Sequence, residues 1–319
     1  MENMHPLVSV VCLTYRKYEY IYNNIDSVLC QDYKNIEYII SDDGCDAFPK
    51  DQIVKYLDKK NTDIKYKVVS HDINVGTVKH INEIYKMAQG DIIVPLSADD
   101  VFSDSDIITK IVKSFIEKKC AILVTARWFC DEKMKMKQLQ PSLLEQRYII
   151  NKLNTPIQQL KATIFEEFFD VLAGSTLYMT KSYFNQMGGF DESYRLLEDW
   201  PFFTDYTSKN CIDFDFSIVS INYRSGGVSH SGKGNSVIIP DVKLYNSTTR
   251  VKYKYMLDDF SQHKLAYIIN RTTVKNRGEL LVLWCMHPLI MYTKIRYKIF
   301  RSFAKIYDRF FVNNRLPMK

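Results

Sequence analysis

The sequence predicts an α/β protein with a mostly parallel central sheet, followed by a helical C-terminal region. Three observations predict it. Short β-branched runs alternate with segments of helical periodicity from residue 8 to residue 126. Two of those runs end in adjacent aspartates, as strands do when their ends line a polar cleft. From Leu244 onward the helical periodicity continues without strand-like runs.

Residues 8–13 (VSVVCL) read as a buried strand, because a strand covered on both faces needs apolar residues at every position. Residues 20–31 have apolar side chains at 21, 25, 28 and 29, the spacing of one helix face. Residues 36–41 (IEYIIS) form a second strand, ending at Asp42-Asp43-Gly44. Residues 53–57 look helical, and residues 66–71 (YKVVSH) form a third strand. Residues 78–88 repeat the helical spacing and stop at Gly90. Residues 92–96 form a fourth strand, leading to Ser97-Ala98-Asp99-Asp100. Residues 107–118 are helical, and residues 121–126 form a fifth strand. Residues 133–170 are amphipathic and less regular. A strand over 174–180 follows, then a Gly188-Gly189 turn, a helical stretch over 200–208 and a strand over 218–223. Residues 224–236 (RSGGVSHSGKGNS) are rich in Gly and Ser and read as a mobile loop.

The composition is that of a folded globular protein: 46% hydrophobic and 25% charged over 319 residues. The seven cysteines are scattered and include no CxxC pair, which argues against a disulfide framework or a zinc knuckle and fits a reducing compartment. The amino terminus lacks a basic segment followed by a long apolar one, so no signal peptide is expected. The net charge of +6 is uneven. Residues 294–319 hold eight Lys or Arg against one acid, Asp308, so the basic character belongs to the tail.

Asp99 and Asp100 pose the sharpest question. Adjacent carboxylates repel unless water surrounds them or a cation lies between them. Taken alone, the pair reads as an acidic turn before the helix at 107, and Asp42-Asp43-Gly44 reads as a tight turn. In an open α/β sheet, however, both pairs fall at carboxyl ends of strands, where ligands bind.

The order of these motifs resembles that of the family 2 glycosyltransferases. It runs from Thr14-Tyr15 after the first strand through Ser41-Asp42-Asp43-Gly44, Asn74-Val75-Gly76, Gly90-Asp91 and Ser97-Ala98-Asp99-Asp100. It ends with Gly188-Gly189-Phe190-Asp191-Glu192 and Glu198-Asp199-Trp200. Each motif is weak alone; their order over residues 7–225 is what carries the resemblance. It implies a GT-A (nucleotide-diphospho-sugar transferase) fold, with a catalytic domain over 1–240 divided at about residue 130 into nucleotide-sugar and acceptor halves. It also implies an inverting transfer from a nucleotide sugar, a UDP-sugar first, to a hydroxyl of a glycan or lipid-linked glycan, as in bacterial surface-polysaccharide synthesis. By the same resemblance Thr14, Tyr15, Asp42, Asp43 and Gly76 meet the nucleotide. Asp99, Asp100 and a late histidine, His230, hold Mn²⁺ or Mg²⁺. Ser97 stands where many members have an aspartate, which makes Asp99 the first choice of the pair. Asp199 is the base that deprotonates the acceptor hydroxyl, with Glu198 and Trp200 as acceptor contacts. The competing readings are an exposed loop histidine for His230, first-turn helix carboxylates for Glu198 and Asp199, and core for Trp200.

Two rivals stand against a transferase. A nucleotidyltransferase would want a glycine-rich loop after the first strand, and Thr14-Tyr15-Arg16-Lys17 has no glycine. A non-catalytic nucleotide-sugar-binding protein would not need Asp99 and Asp199 intact.

In the tail, residues 294–311 place Ile295, Ile299, Phe303, Ile306 and Phe310 on one helical stripe and Lys294, Lys298, Arg301, Lys305 and Arg309 on another. The apolar stretch before it, 280–292, contains Pro288 and is shorter than the ~20 residues a membrane span needs. The expected partner is therefore a membrane surface, met by a peripheral protein on the cytoplasmic face, with a polyprenyl-diphosphate-linked acceptor. The alternative is a helix that packs its apolar face on the catalytic domain. The sequence holds no recognisable nucleic-acid-binding module, and no nucleic-acid partner is expected.

Overall fold

The computed structural model describes residues 5–165, 172–226, 234–271, 274 and 276–311. In the first part, strands β1 (Val8–Thr14), β2 (Ile36–Asp42), β3 (Lys65–Ser70) and β4 (Ile92–Pro95) alternate with helices α1 (Ile21–Leu29), α2 (Lys50–Lys59) and α3 (Thr77–Met87). A two-residue strand, β5 (Val101–Phe102), precedes α4 (Ile107–Lys118). Next come β6 (Ile122–Cys130), β7 (Met136–Gln140), α5 (Leu143–Lys152) and α6 (Pro156–Ile164). Then follow β8 (Leu177–Thr180), α7 (Lys181–Met187), α8 (Asp199–Thr207) and β9 (Asp213–Arg224). Six helices' worth of chain remains largely strand-free: α9 (Gly234–Ser247), α10 (Thr249–Lys252), α11 (Asp259–Arg271), α12 (Arg277–Met286) and α13 (Pro288–Phe311), with a short 3₁₀ turn between α10 and α11.

The α/β expectation holds. The sheet order is β3-β2-β1-β4-β8-β6-β9-β5, with β7 added to β6. Parallel pairing runs through β3, β2, β1 and β4, the part whose strands read as apolar runs. Beyond β4 the sheet is mixed: β8 is antiparallel to both β4 and β6, whereas β6 and β9 are parallel.

Alternation along each strand divides the core. Val8, Val10 and Cys12 of β1 point to the side covered by α1, α2 and α4, and Val11 points to the side covered by α3, α7 and α8. Buried Glu37 of β2 fixes the turn that starts β4. It accepts from Ser9 Oγ and from the N–H groups of Gln89 and Gly90. Gly90 has no room for a side chain, since a Cβ there would lie 2.5 Å from Ser9 N.

Residues 133–170, which the sequence left irregular, contain β7, α5 and α6 among the described positions. Both helices begin with capping boxes, Ser142 with Glu145 and Thr155 with Gln158. A separate apolar cluster joins α6 to the C-terminal helices through Leu160, Ile164, Leu257, Leu265, Leu283 and Ile290.

Candidate functional site

Because β1, β2 and β4 are parallel neighbours, their carboxyl ends lie side by side. Thr14 pairs with Asp42, and the chain leaving β4 continues along β1 through Leu96 N to Val11 O and Ala98 N to Leu13 O. Thr14-Tyr15, Asp42-Asp43 and Ser97–Asp100 therefore share one rim. Strand β8 runs the other way beside β4, so its amino end, with the 3₁₀ turn Gly174–Thr176, reaches the same rim. Gly174 N–H donates to Asp199 Oδ2 at 3.3 Å, which brings the start of α8 there too. Three acidic pairs, far apart in sequence, meet at one edge of the sheet.

The two donor-side carboxylates differ in what they hold. Asp42 accepts from Tyr18 Oη at 2.7 Å and from Cys45 N at 2.7 Å. Asp43 accepts from Asn74 Nδ2 at 2.8 Å, Val75 N at 2.9 Å and Gly76 N at 3.0 Å, with His71 Nδ1 at 3.4 Å. A carboxylate has about four acceptor sites. Those of Asp43 are spent on the chain's own donors, and the residue shapes the Asn74–Gly76 turn. Gly76 takes a φ of +93° there, and a Cβ would lie 2.7 Å from the Arg195 side chain. Arg195 in turn reaches Asn74 Oδ1 at 2.6 Å. Thr14 is buried and donates to Lys17 O at 3.0 Å. Tyr15 is half-buried, with the Arg16 guanidinium 4.8 Å from its ring.

The second pair is split. Asp99 is half-exposed, and no donor among the described residues bonds its carboxylate. Asp100 is fully buried: Oδ1 accepts from Arg224 N at 2.8 Å, and Oδ2 has no hydrogen-bond partner. Burial, then the neighbouring Asp99 charge, pushes the Asp100 carboxyl well above its ordinary range. Arg224, at the end of β9, closes this corner. Its guanidinium donates to Asp99 O at 3.0 Å and to Glu132 O, and lies 3.6 Å from the Tyr20 ring centroid. His230 lies outside the described residues. Among the described residues, no group of three His, Cys, Asp or Glu side chains could hold a metal ion. What remains is one accessible carboxylate, Asp99, at a strand end. That donor set suits a hard cation that takes its other ligands from a diphosphate and water, not one held in an all-protein cage.

Glu198 and Asp199 open α8, both half-buried. Asp199 Oδ1 accepts from Trp200 N at 2.8 Å, and Oδ2 from Gly174 N. Burial pushes both carboxyls up: Glu198 to about 8, where the Asp199 charge adds to the effect, and Asp199 to about 6, where the Gly174 and Trp200 N–H groups and the Arg127 charge hold it down. Trp200 packs against Tyr245 of α9, 5.9 Å between centroids.

Three residues of this site gave no signal in the sequence. Buried Arg127 of β6 donates to Ser175 Oγ at 2.6 Å and Gln140 Oε1 at 3.0 Å, and its charge acts on both Asp199 and Asp100. Gly174 supplies the N–H that holds Asp199. Asp241 of α9 accepts from three successive backbone N–H groups, Arg195 at 3.0 Å, Leu196 at 2.6 Å and Leu197 at 3.1 Å. It thereby fixes the segment entering Glu198-Asp199. Asp241→Ala leaves those donors unpartnered in a buried place. It should cost about 1–3 kcal/mol and several degrees in Tm, read by thermal unfolding. An unchanged Tm would remove Asp241 from this role.

Residues 9–182 match the family model "Glycosyl transferase family 2". The chain belongs to that family. Its activity class is glycosyl transfer, and its GT-A fold has solved counterparts. It is 24% identical over 243 residues to an uncharacterized glycosyltransferase of Haemophilus influenzae, covering 71% of this chain and 68% of that protein. The S. aureus TarS crystal structure superposes with a TM-score of 0.53 at 17% identity, over 92% of this chain and 53% of TarS. This family 2 chain thus spans about half of that protein's length. TarS 1–349 in complex with UDP-GlcNAc matches at TM-score 0.53 and 16% identity, over 95% of this chain and 91% of that one. Mannosyltransferase PcManGT of Pyrobaculum calidifontis, in complex with GDP-Man and Mn²⁺, matches at TM-score 0.52 and 15% identity, over 96% and 88%.

Proposed function

We propose that the protein is a metal-dependent inverting glycosyltransferase that moves a sugar from a nucleotide diphosphate, a UDP-sugar first, to a hydroxyl of a glycan or lipid-linked glycan. The observation that carries this reading is the meeting of the three acidic pairs at one rim of the sheet. It is supported by structural neighbours in complex with UDP-GlcNAc and GDP-Man.

In this reading Thr14, Tyr15 and Asp42 line the nucleoside site, while Asp43 and Gly76 shape its wall. Asp99 is the protein ligand of Mn²⁺ or Mg²⁺, with Asp100 buried behind it and His230 a candidate further ligand. The cation, when bound, offsets the charge that grows on the leaving diphosphate. Asp199 takes the acceptor hydroxyl's proton while that oxygen attacks the anomeric carbon from the face opposite the leaving group. Its raised pKa makes it a stronger base than an ordinary aspartate. Glu198, protonated at neutral pH, donates a hydrogen bond to the acceptor, and Trp200 borders it. The protein works in the cytoplasm as a peripheral membrane protein on a polyprenyl-diphosphate-linked acceptor in polysaccharide synthesis.

The test is a panel of UDP- and GDP-sugars, measuring binding and donor hydrolysis with Mn²⁺, with Mg²⁺ and with EDTA. One nucleotide sugar should bind in a metal-dependent way, and Asp99→Ala should lose at least tenfold in metal-dependent affinity. A folded wild-type protein that binds no nucleotide sugar would point to the non-catalytic alternative.

A further inference from the structure

We propose that the outer face of α12 and α13 is a membrane-docking surface that takes the headgroup region of an anionic bilayer. The proposal rests on the peripheral-membrane reading above, not on the transfer chemistry.

An amphipathic helix on a globular protein ordinarily turns its apolar stripe inward. Helix α13 does the reverse. Its inward contacts are made by Ile290 and Ala304, by Arg301 pairing with Glu145 at 2.9 Å, and by Asp308, whose Oδ1 accepts from Leu143 N at 3.1 Å. The stripe of Ile295, Ile299, Phe303 and Ile306 is left at least half exposed. Helix α12 adds Leu281 and Val282, also more than half exposed. So large an apolar surface marks an interaction site.

Charge decides what covers it. Asp308 is the one acid between residues 280 and 319, and it is buried against α5. The exposed ionised groups beside the stripe are cations. At 100° per residue, Lys298 and Lys305 fall between the buried face and the apolar stripe, and Arg296 falls on the stripe's other edge. Apolar side chains can then enter the acyl boundary while the flanking cations reach up to phosphate. A second copy of the chain would bring two such cationic flanks together, which disfavours self-association on this face. No helix among the described residues is long and apolar enough to cross a membrane, so α13 would lie on the surface.

The test is co-sedimentation of the full chain with vesicles of phosphatidylcholine alone or with phosphatidylglycerol, at low and high salt. Wild type should bind the anionic vesicles at least tenfold more strongly than the neutral ones, and salt should weaken the binding. Lys298→Glu with Lys305→Glu should lose at least tenfold. Ile299→Ser with Phe303→Ser should lose binding while keeping Tm and nucleotide-sugar binding, because both side chains face outward. Wild type staying in the supernatant with every vesicle overturns the proposal. So does a vesicle-free dimer, seen by light scattering, that the Ser pair dissociates. Either result leaves the nucleotide-sugar test untouched.

Discussion

Asp199→Asn is expected to lower kcat by about 10²–10⁴-fold, the range a positioned general base contributes, with nucleotide-sugar binding preserved. Asparagine keeps the size of the side chain and one oxygen to accept from Trp200 N or Gly174 N, so the start of α8 survives. What it lacks is a lone pair that can take a proton. The pH profile separates this role from a structural one. Asp199 acts as a base only when ionised, and burial has pushed its carboxyl up to about 6. Wild-type kcat/KM should therefore climb as pH rises through that region and flatten above it, with the limb belonging to the Glu198–Asp199 pair as a unit. The residual activity of Asp199→Asn should lose the limb. Stability runs in the opposite sense. A carboxyl whose folded-state pKa is raised favours folding less once it ionises, so its contribution falls as pH rises from about 4 to about 6. Asp199→Asn should thus raise Tm at neutral pH. A variant that keeps more than a tenth of wild-type kcat, while Glu198→Gln collapses, would exchange the roles of the two acids.

The sequence revealed the donor half of the fold and little of the acceptor half, for a physical reason. Strands β1, β2 and β4 are buried on both faces, so each reads as an unbroken apolar run, and their carboxyl ends had to meet once they were parallel. Strand β7, MKQLQ, lies off the main strand order and pairs with β6, with its first two residues exposed, so it carries no such run. Helices α5 and α6 were signalled only by their capping boxes, Ser142–Glu145 and Thr155–Gln158. The acidic pairs were visible, but not their orientations. Asp99 and Asp100 are identical in composition and neighbours in sequence, yet one faces outward and the other is held by Arg224 N from β9, a partner 124 positions away. Arg127 and Asp241 act through contacts equally remote, and no local pattern distinguishes them from other charged residues. In α13 the amphipathic pattern showed two faces. Which of them turns outward depended on Glu145 and Leu143 of α5.

Gly174→Ala is expected to lower kcat by about 10²-fold with little change in Tm, and its reasoning turns on what the new methyl meets. A Cβ at Gly174 would lie 2.6 Å from Glu198 Oε1, closer than two such atoms can stand. No other atom outside the adjoining residues comes closer than 3.8 Å, and Gly174 does not have a positive φ, so the backbone accepts alanine. The clash falls on the free end of a flexible side chain, which can swing away at small cost. Folding is spared for that reason, and the carboxyl meant to meet the acceptor is displaced. A misplacement of about 1 Å at a reacting centre can cost 10²-fold. The Gly174 N–H that holds Asp199 remains, so the pH limb should persist, unlike in Asp199→Asn. KM for the acceptor should rise while donor affinity stays, since the nucleotide-facing ends of β1 and β2 are untouched. Restoring space with Gly174→Ala/Glu198→Asp, whose shorter side chain withdraws the carboxylate from the methyl, should recover part of the lost rate. If the double variant is no faster than Gly174→Ala, the loss comes from the 3₁₀ turn itself, and Glu198 is not the group the methyl displaces.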